Sequence, residues 1–289
     1  MTKPLIIGSE GLLGRALSRR LEETHPETIS ATREFLDITD YFGLCSEFER
    51  LEPTVVINTA AFSDVDGCEL DPVRALQVNK VGAHNLARAC RTIGARLIHI
   101  STDYVFDGTK TTPYVEEDPT SPVQVYGASK LDGETAVLAE LPRALIVRTS
   151  FLFGPGRPTF VDRAIERARQ RELVRAVLDW VNSPTYTVDL AEMIDGLIGS
   201  DVSGVLHASN SGACSKFEFA RAACGFAGIE DPPIAPIRLA DLPLPAKRPE
   251  RTPFDVTRLT AVLGRAPRSW EEALEEYLLR GETGEDDVF

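Results

Sequence analysis

A doubly wound parallel α/β sheet carrying a second, smaller α/β lobe is the fold this sequence predicts, and three observations predict it. Through residues 1–149, short apolar runs alternate with helix-like segments, the pattern of a parallel sheet with helices on both faces. Those runs are rich in β-branched residues and lack in–out alternation, as strands covered on both sides require. A glycine-rich string, GSEGLLG, joins the first run to the first helix.

The first strand is expected at PLIIG (4–8) and the first helix at 11–23. Gly8, Gly11 and Gly14 stand between and just inside them. Glycines at such a turn permit a tight bend, an approach of phosphate to the backbone, and close helix–strand packing. The helix N-terminus then offers free N–H groups and a partial positive charge to a pyrophosphate. The spacing is GxxGxxG and not the GxGxxG of the simplest dinucleotide fingerprint, so its weight comes from its position at the first turn. The second strand, TISA (28–31), should end near an adenosine ribose. No acid stands at its tip to accept from a 2′-hydroxyl. Thr32 and Arg33 stand there, which favours a 2′-phosphate and hence NADPH, with NADH left open. Asp37 follows, either beside the adenine or capping the helix expected at 41–51. A third strand at TVVIN (54–58) leads to a long helical stretch at 71–94. A fourth at ARLIHI (95–100) leads to a helix at 128–141, and a fifth lies at ALIVRT (144–149).

After residue 150 the rhythm loosens. Helical patterns occur at 160–171, 186–199, 216–228 and 270–281, with a proline-rich connector at 231–249. The expected division is a dinucleotide-binding domain of 1–149 plus about 174–203, and a smaller second lobe of about 150–173 plus 204–280. The acidic end, 281–289, is expected to be a frayed tail.

The formal net charge is -13, from 31 basic and 44 acidic side chains, and no basic stripe marks a nucleic-acid partner. An anionic ligand must therefore find a local positive feature. Five cysteines without CxxC spacing argue against a disulfide framework and against a zinc site. No signal peptide is read at the N-terminus, and no apolar run approaches the ~18 residues of a membrane span, so a cytoplasmic protein with no membrane partner is expected.

The fourth strand ends in Ser101, Thr102 and Asp103. In open parallel sheets ligands sit at the carboxyl ends of strands, so these three should face the cofactor crevice. Buried without such a role they would be costly. The string YGASK supplies a partner: Tyr126 and Lys130 are four apart and share a helix face. An ammonium near a phenol favours the phenolate and lowers its pKa. Tyr126 could then donate a proton to a carbonyl receiving hydride, while the Thr102 hydroxyl holds the same oxygen.

The glycine loop, NTAA (58–61), the hydroxyl-bearing strand end and YxxxK together resemble the extended short-chain dehydrogenases/reductases, which have a Rossmann-like sheet. LDITD (36–40), VVINTAAFSDVDGCELDP (55–72), HISTDYVFDG (99–108) and PYVEEDPTSPVQVYGASKLDGE (113–134) resemble the dTDP-4-dehydrorhamnose reductase family within them. LIVRTSFLFG (145–154), VNSPTYTVDLAEMI (181–194), GVLHASNSG (204–212) and PAKRPERTPFD (245–255) extend the likeness over nearly the whole chain. The resemblance implies reduction of the C4 ketone of dTDP-4-dehydro-L-rhamnose by NAD(P)H. It implies Tyr126 as proton donor, Lys130 as its tuning partner and Thr102 on the substrate, with Asp103 and Tyr104 lining the sugar site. Gly11, Leu12 and Leu13 would meet the pyrophosphate, and Asp37 and Ile38 the adenine. Ala60, Ala61, Phe62 and Ser63 would flank the nicotinamide, and Phe151, Arg248 and Thr252 would clamp the dTDP-sugar. The resemblance allows a homodimer.

Three departures from the family pattern fall near the sugar: Phe151 for a tryptophan, Thr159 in an Asn-Phe pair, and Thr252 for a serine. Magnesium-binding carboxylates of some relatives have no match, so no metal is expected. His99, Trp180 and Trp270 read as packing, and Glu116, Glu117 and Asp118 as a solvated loop. Other readings remain: a 4-ketoreductase for another nucleotide deoxysugar, a non-catalytic regulatory subunit, or an epimerase or dehydratase that retains its cofactor.

Overall fold

The computed structural model describes residues 2–283. Its centre is a six-stranded parallel sheet in the order Gly204–His207, Leu145–Thr149, Arg96–Thr102, Val55–Asn58, Pro4–Ile7, Ile29–Ala31. Successive strand residues pack to opposite faces, and both faces are dry. Ile6, Ile57, Ile98 and Val147 meet the helices Leu12–Thr24 and Thr187–Ile198. Leu5, Ile7, Val56, Leu97 and Ile146 meet Tyr41–Leu51, Ala83–Ile93 and Val125–Glu140. This burial on both sides explains the unbroken apolar runs.

The stretch expected as one helix over 71–94 is Pro72–Leu76, a π-helical segment Gln77–Gly82, and Ala83–Ile93. Asp71 starts it, accepting from the Arg74 N–H at 3.0 Å. The π segment turns the buried Asn79 inward, where its Oδ1 accepts from the Phe62 N–H at 2.8 Å and its Nδ2 donates to Ser129 Oγ at 2.9 Å. Side-chain-directed widening of this kind recurs at functional sites.

The second lobe is smaller and built of two-stranded pieces. Val174–Val177 pairs in parallel with Ile234–Ile237, against the helices Phe160–Arg169 and Lys216–Phe226. Trp270–Thr283 closes it through Trp270, Leu274 and Tyr277 on Phe153, Tyr186 and Phe219.

Two expected boundaries move. The strand at 174–177 belongs to the second lobe and not to the sheet; its Arg175 is exposed while its neighbours are buried, as a strand covered on one side requires. Gly204–His207, assigned by sequence to the second lobe, is instead the sheet's edge strand, paired with Leu145–Arg148. Only the helix Thr187–Ile198 returns to the sheet as expected. Arg96, at the start of the fourth strand, ties it there by donating to the carbonyls of Leu197, Ile198 and Val202 at 2.8, 2.9 and 2.8 Å. The last helix runs to Thr283, and the expected acidic tail lies, from 284 onward, outside the described residues.

Candidate active site

The loop after the first strand is built by its glycines. Gly8 holds φ +83°, and its N–H and that of Ser9 donate to the Ala31 carbonyl at 3.0 and 3.1 Å. A Cβ on Gly14 would lie 2.2 Å from the Gly8 carbonyl oxygen, so only glycine lets the helix begin so close to the strand. Gly11 is the N-cap of Leu12–Thr24 and provides no side-chain cap, which leaves first-turn N–H groups open to an anion.

One cavity of about 910 Å³ starts at this loop and runs along the carboxyl ends of the strands to the second lobe. On its adenosine side lie Arg33, Asp37 and Ile38. Arg33 is exposed and reaches Asp37 at 3.7 Å. Asp37 accepts from the backbone and hydroxyl of Thr39 at 2.8 and 2.7 Å. Its slight burial favours the neutral acid, but these bonds and Arg33 outweigh it and lower its pKa. It caps no helix; Asp40 does, accepting from the Gly43 N–H at 3.1 Å. Thr32 does not line the cavity, its hydroxyl taking the Phe35 N–H at 3.3 Å. Ala60, Ala61, Phe62 and Ser63 line the middle, beneath an Asn58 amide that accepts from the Ala60 N–H at 3.0 Å.

Thr102, Asp103, Tyr104, Tyr126 and Lys130 converge at the end of the central strand. The helix Val125–Glu140 presses on that end: a Cβ at Gly127 would lie 2.0 Å from the Tyr104 carbonyl oxygen. The rings of Tyr104 and Tyr126 meet edge-on, 5.8 Å apart. Thr102 Oγ1 accepts from the Tyr104 N–H and donates to Asp103 Oδ1, both at 3.2 Å. Asp103 Oδ2 accepts from Asn182 Nδ2 at 3.1 Å and from the Thr252 hydroxyl, so two second-lobe residues grip the strand end. Burial raises the Asp103 pKa, against the pull of the Thr252, Ser150 and Thr102 hydroxyls and of Lys216. Ser101 also lines the cavity, but its hydroxyl donates to Glu134.

Contrary to expectation, Lys130 does not lower the Tyr126 pKa in this geometry. Its Nζ donates to the Ile100 carbonyl at 2.7 Å and lies 3.4 Å from His99 Nε2. Burial lowers the Lys130 pKa to about 8, opposed by Glu134. The Tyr126 phenol is itself pushed well above its ordinary pKa by burial, with the Thr102 hydroxyl pulling the other way. In this geometry Tyr126 keeps its proton, which is the form a proton donor needs.

The buried lysine gives a pH dependence. Below about pH 8 Lys130 is charged in the folded and unfolded chains alike, and the folded state bears the full cost of desolvation. Between about pH 8 and the ordinary lysine value, about 10.4, the unfolded chain binds more protons and this cost is relieved. The stability advantage of Lys130→Met over wild type should therefore shrink as pH rises through that window. Urea midpoints for both proteins at each end check this, and a gap that stays constant would contradict it.

On the substrate side Phe151 lines the cavity in a left-handed conformation, φ +39°, while Arg248 and Thr252 do not line it. Arg248 forms a two-pronged pair with Asp66 at 3.0 and 2.9 Å. Thr252 is fully buried behind Asp103, also accepting from Asn182 Nδ2 at 2.8 Å. Trp180, expected as packing, lines the cavity with Asn182, Lys216, Arg157 and Arg175, none of which the sequence singled out. Asn182 sits in VNSPT and could have been noted as a polar residue in a quoted block; Lys216 carried no local signal. His207 is buried: burial, helped by Arg148, lowers its pKa to about 3, and its backbone N–H donates to Glu116 at 2.9 Å. That bond takes Glu116 out of the solvated loop expected at 116–118, and Asp118 pairs with Lys110. Among the described residues no three of His, Cys, Asp and Glu gather as a metal site, and no helix is long and apolar enough to cross a membrane.

A family model described as the RmlD substrate binding domain matches residues 2–282. The spore coat polysaccharide biosynthesis protein SpsK of Bacillus subtilis is 39% identical over 280 residues, 96% of this chain and 97% of that protein. A dTDP-4-dehydrorhamnose reductase of Mycobacterium tuberculosis (strain H37Rv) is 40% identical over 278 residues, 93% of this chain and 90% of its own. The crystal structure of dTDP-4-dehydrorhamnose reductase from Bacillus anthracis in complex with NADP superposes with a TM-score of 0.92 at 34% identity, covering 97% of this chain and all of that one.

Proposed function

We propose, because this chain belongs to the RmlD substrate binding domain family, that it is an NADPH-dependent oxidoreductase that reduces the C4 ketone of dTDP-4-dehydro-L-rhamnose to dTDP-L-rhamnose. The observation that carries the reading is the convergence of Thr102, Tyr126 and Lys130 in one cavity with the glycine loop.

The loop fits a dinucleotide: the Gly8–Gly14 approach leaves no room for a Cβ, and the helix above it has no side-chain cap. Gly11, Leu12 and Leu13 would hold the pyrophosphate and Arg33 the 2′-phosphate. Ile38 would lie by the adenine, and Ala60 to Ser63 by the nicotinamide. Bound there, NADPH supplies a hydride for the C4 carbon. Tyr126 gives its phenolic proton to the C4 oxygen as charge develops on it, and Thr102 holds that oxygen by a hydrogen bond. Asp103 and Tyr104 fix the sugar beside them, and the Asn182–Thr252 grip on Asp103 keeps the second lobe in register with the strand end. Lys130 would hold the cofactor's ribose. In this reading the protein works in the cytoplasm, where its five free cysteines stay reduced.

The test is NADPH oxidation with dTDP-4-dehydro-L-rhamnose generated in place. Wild type should consume NADPH, and Arg33→Ala should weaken NADPH binding by about tenfold while leaving NADH within about twofold. A chain that binds NADPH but leaves the ketone intact loses this reading. Phe151, standing where the family carries tryptophan, favours a second reading: the same chemistry on another nucleotide-linked 4-keto deoxysugar. The ratio of kcat/KM between the two sugars decides between them.

A further inference from the structure

Lys216 has an environment that the reaction above does not explain. It is the first residue of the helix Lys216–Phe226, placed by a capping box in which Ser215 and Glu218 satisfy each other's backbone N–H groups. A cation at a helix N-terminus is opposed by the helix dipole. The residue is only 8% exposed, yet it lines the cavity. Its Nζ lies 2.7 Å from the Phe151 ring centre and 4.9 Å from that of Trp180. Among the described residues no carboxylate oxygen comes within 4.0 Å of it and its ammonium donates no hydrogen bond. Burial pushes its pKa well down, with Asp103 the main opposing charge. A buried ammonium resting on an aromatic face without an anion is costly, and it persists where something later supplies the anion.

The other cations divide clearly. Arg248, the arginine expected to clamp the substrate, is taken by Asp66. Arg33 and the glycine loop stand at the opposite end of the cavity. At the second-lobe end Arg157 and Arg175 line the same space, and neither has an ion pair among the described residues. Phe151 holds the ring beneath Lys216 in a backbone conformation that bulky residues avoid.

We propose that Lys216 takes the diphosphate of the sugar-nucleotide substrate, with Arg157 and Arg175 completing the anion site at the cavity mouth. This rests on the reductase reading for the identity of the substrate but not for its test, which needs no turnover. In an acidic protein with a net charge of -13, two diphosphates must be held in one cavity. The cofactor's is met by backbone N–H groups at the glycine loop. The substrate's is met by a side-chain cation that moves from the Phe151 ring onto the phosphate oxygens, where charge-assisted hydrogen bonds replace the cation–π contact.

The experiment measures binding of dTDP and of thymidine to the protein saturated with NADPH, so that the cofactor site is filled. Wild type should bind dTDP about tenfold or more tighter than thymidine. Lys216→Met should weaken dTDP by about tenfold or more, with thymidine and NADPH within about twofold, and Lys216→Arg should recover most of the loss. Lys216→Gln is run as a second neutral variant in case the methionine variant does not fold, with NADPH affinity reporting the fold. The proposal is overturned if dTDP binds the neutral variants within twofold of wild type, or if thymidine weakens as much as dTDP. It is overturned as well if wild type binds dTDP no tighter than thymidine. Should the dTDP pattern appear while the 4-keto sugar is not reduced, the anion site stands and the reductase reading falls.

Discussion

Tyr126→Phe should lower kcat for ketone reduction by about 10²–10⁴-fold, with NADPH affinity within about twofold of wild type. The substitution removes one hydroxyl and keeps the ring, so the edge-on contact with Tyr104 and the packing of the helix survive. What disappears is the proton that a ketone oxygen needs as hydride arrives. Nothing nearby replaces it well. Thr102 offers a hydroxyl, but that hydroxyl points its proton at Asp103 and its own acidity is far too weak. Tyr104 is buried, and burial with the Asp103 charge holds its proton more tightly still. Lys130 is turned to the Ile100 carbonyl. Single-turnover rates with and without a solvent deuterium effect would locate the loss in the chemical step. A variant retaining more than about a tenth of wild-type kcat would remove Tyr126 as the donor.

The parts of this site that were legible in the sequence are those encoded over short spans. GSEGLLG needs only local sterics to announce a phosphate turn, and Tyr126 with Lys130 needs only the helical repeat. The strand end Ser101–Thr102–Asp103 is visible because polar residues interrupt an apolar run. The parts that were not legible depend on pairings across the chain. Arg248 reads as a substrate clamp until Asp66, 182 positions away, is seen to hold it. Thr252 reads as a contact until Asp103 is seen to shield it. Lys216 reads as an ordinary first-turn residue, because nothing local shows that Phe151 and Trp180 close over it. The edge strand GVLH was misplaced for the same reason: four residues with a leading glycine carry little strand signal, and only pairing with Leu145–Arg148 makes them one.

Glu134→Ala should destabilise the protein by about 3–5 kcal/mol, the largest stability effect expected of a single substitution near the site. Tyr126, Lys130 and Glu134 succeed one another at intervals of four on the same helix, so one face carries the donor, the amine and the carboxylate toward the sheet. Glu134 is buried and receives Arg148 Nε at 3.0 Å and Arg148 Nη2 at 2.7 Å, together with the Ser101 hydroxyl. Arg148 belongs to the strand beside Ser101, and its guanidinium also lies 5.2 Å from the Phe106 ring centre. Removing the carboxylate leaves an uncompensated guanidinium in the core and an unpaired hydroxyl at the strand end. Replacing both partners by apolar residues, as in Glu134→Leu with Arg148→Met, removes the buried charge altogether and should recover most of the loss. Chemical denaturation of the two single variants and the double variant measures the coupling, and a cost below about 1 kcal/mol for Glu134→Ala would contradict it. The double variant also separates stability from function. Glu134 is the charge that opposes desolvation of Lys130, so its loss drives the Lys130 pKa further down even where the fold is restored. A double variant that is stable but whose pH–rate profile is displaced would show that this ion pair serves the reaction through Lys130 as well as the fold through Arg148.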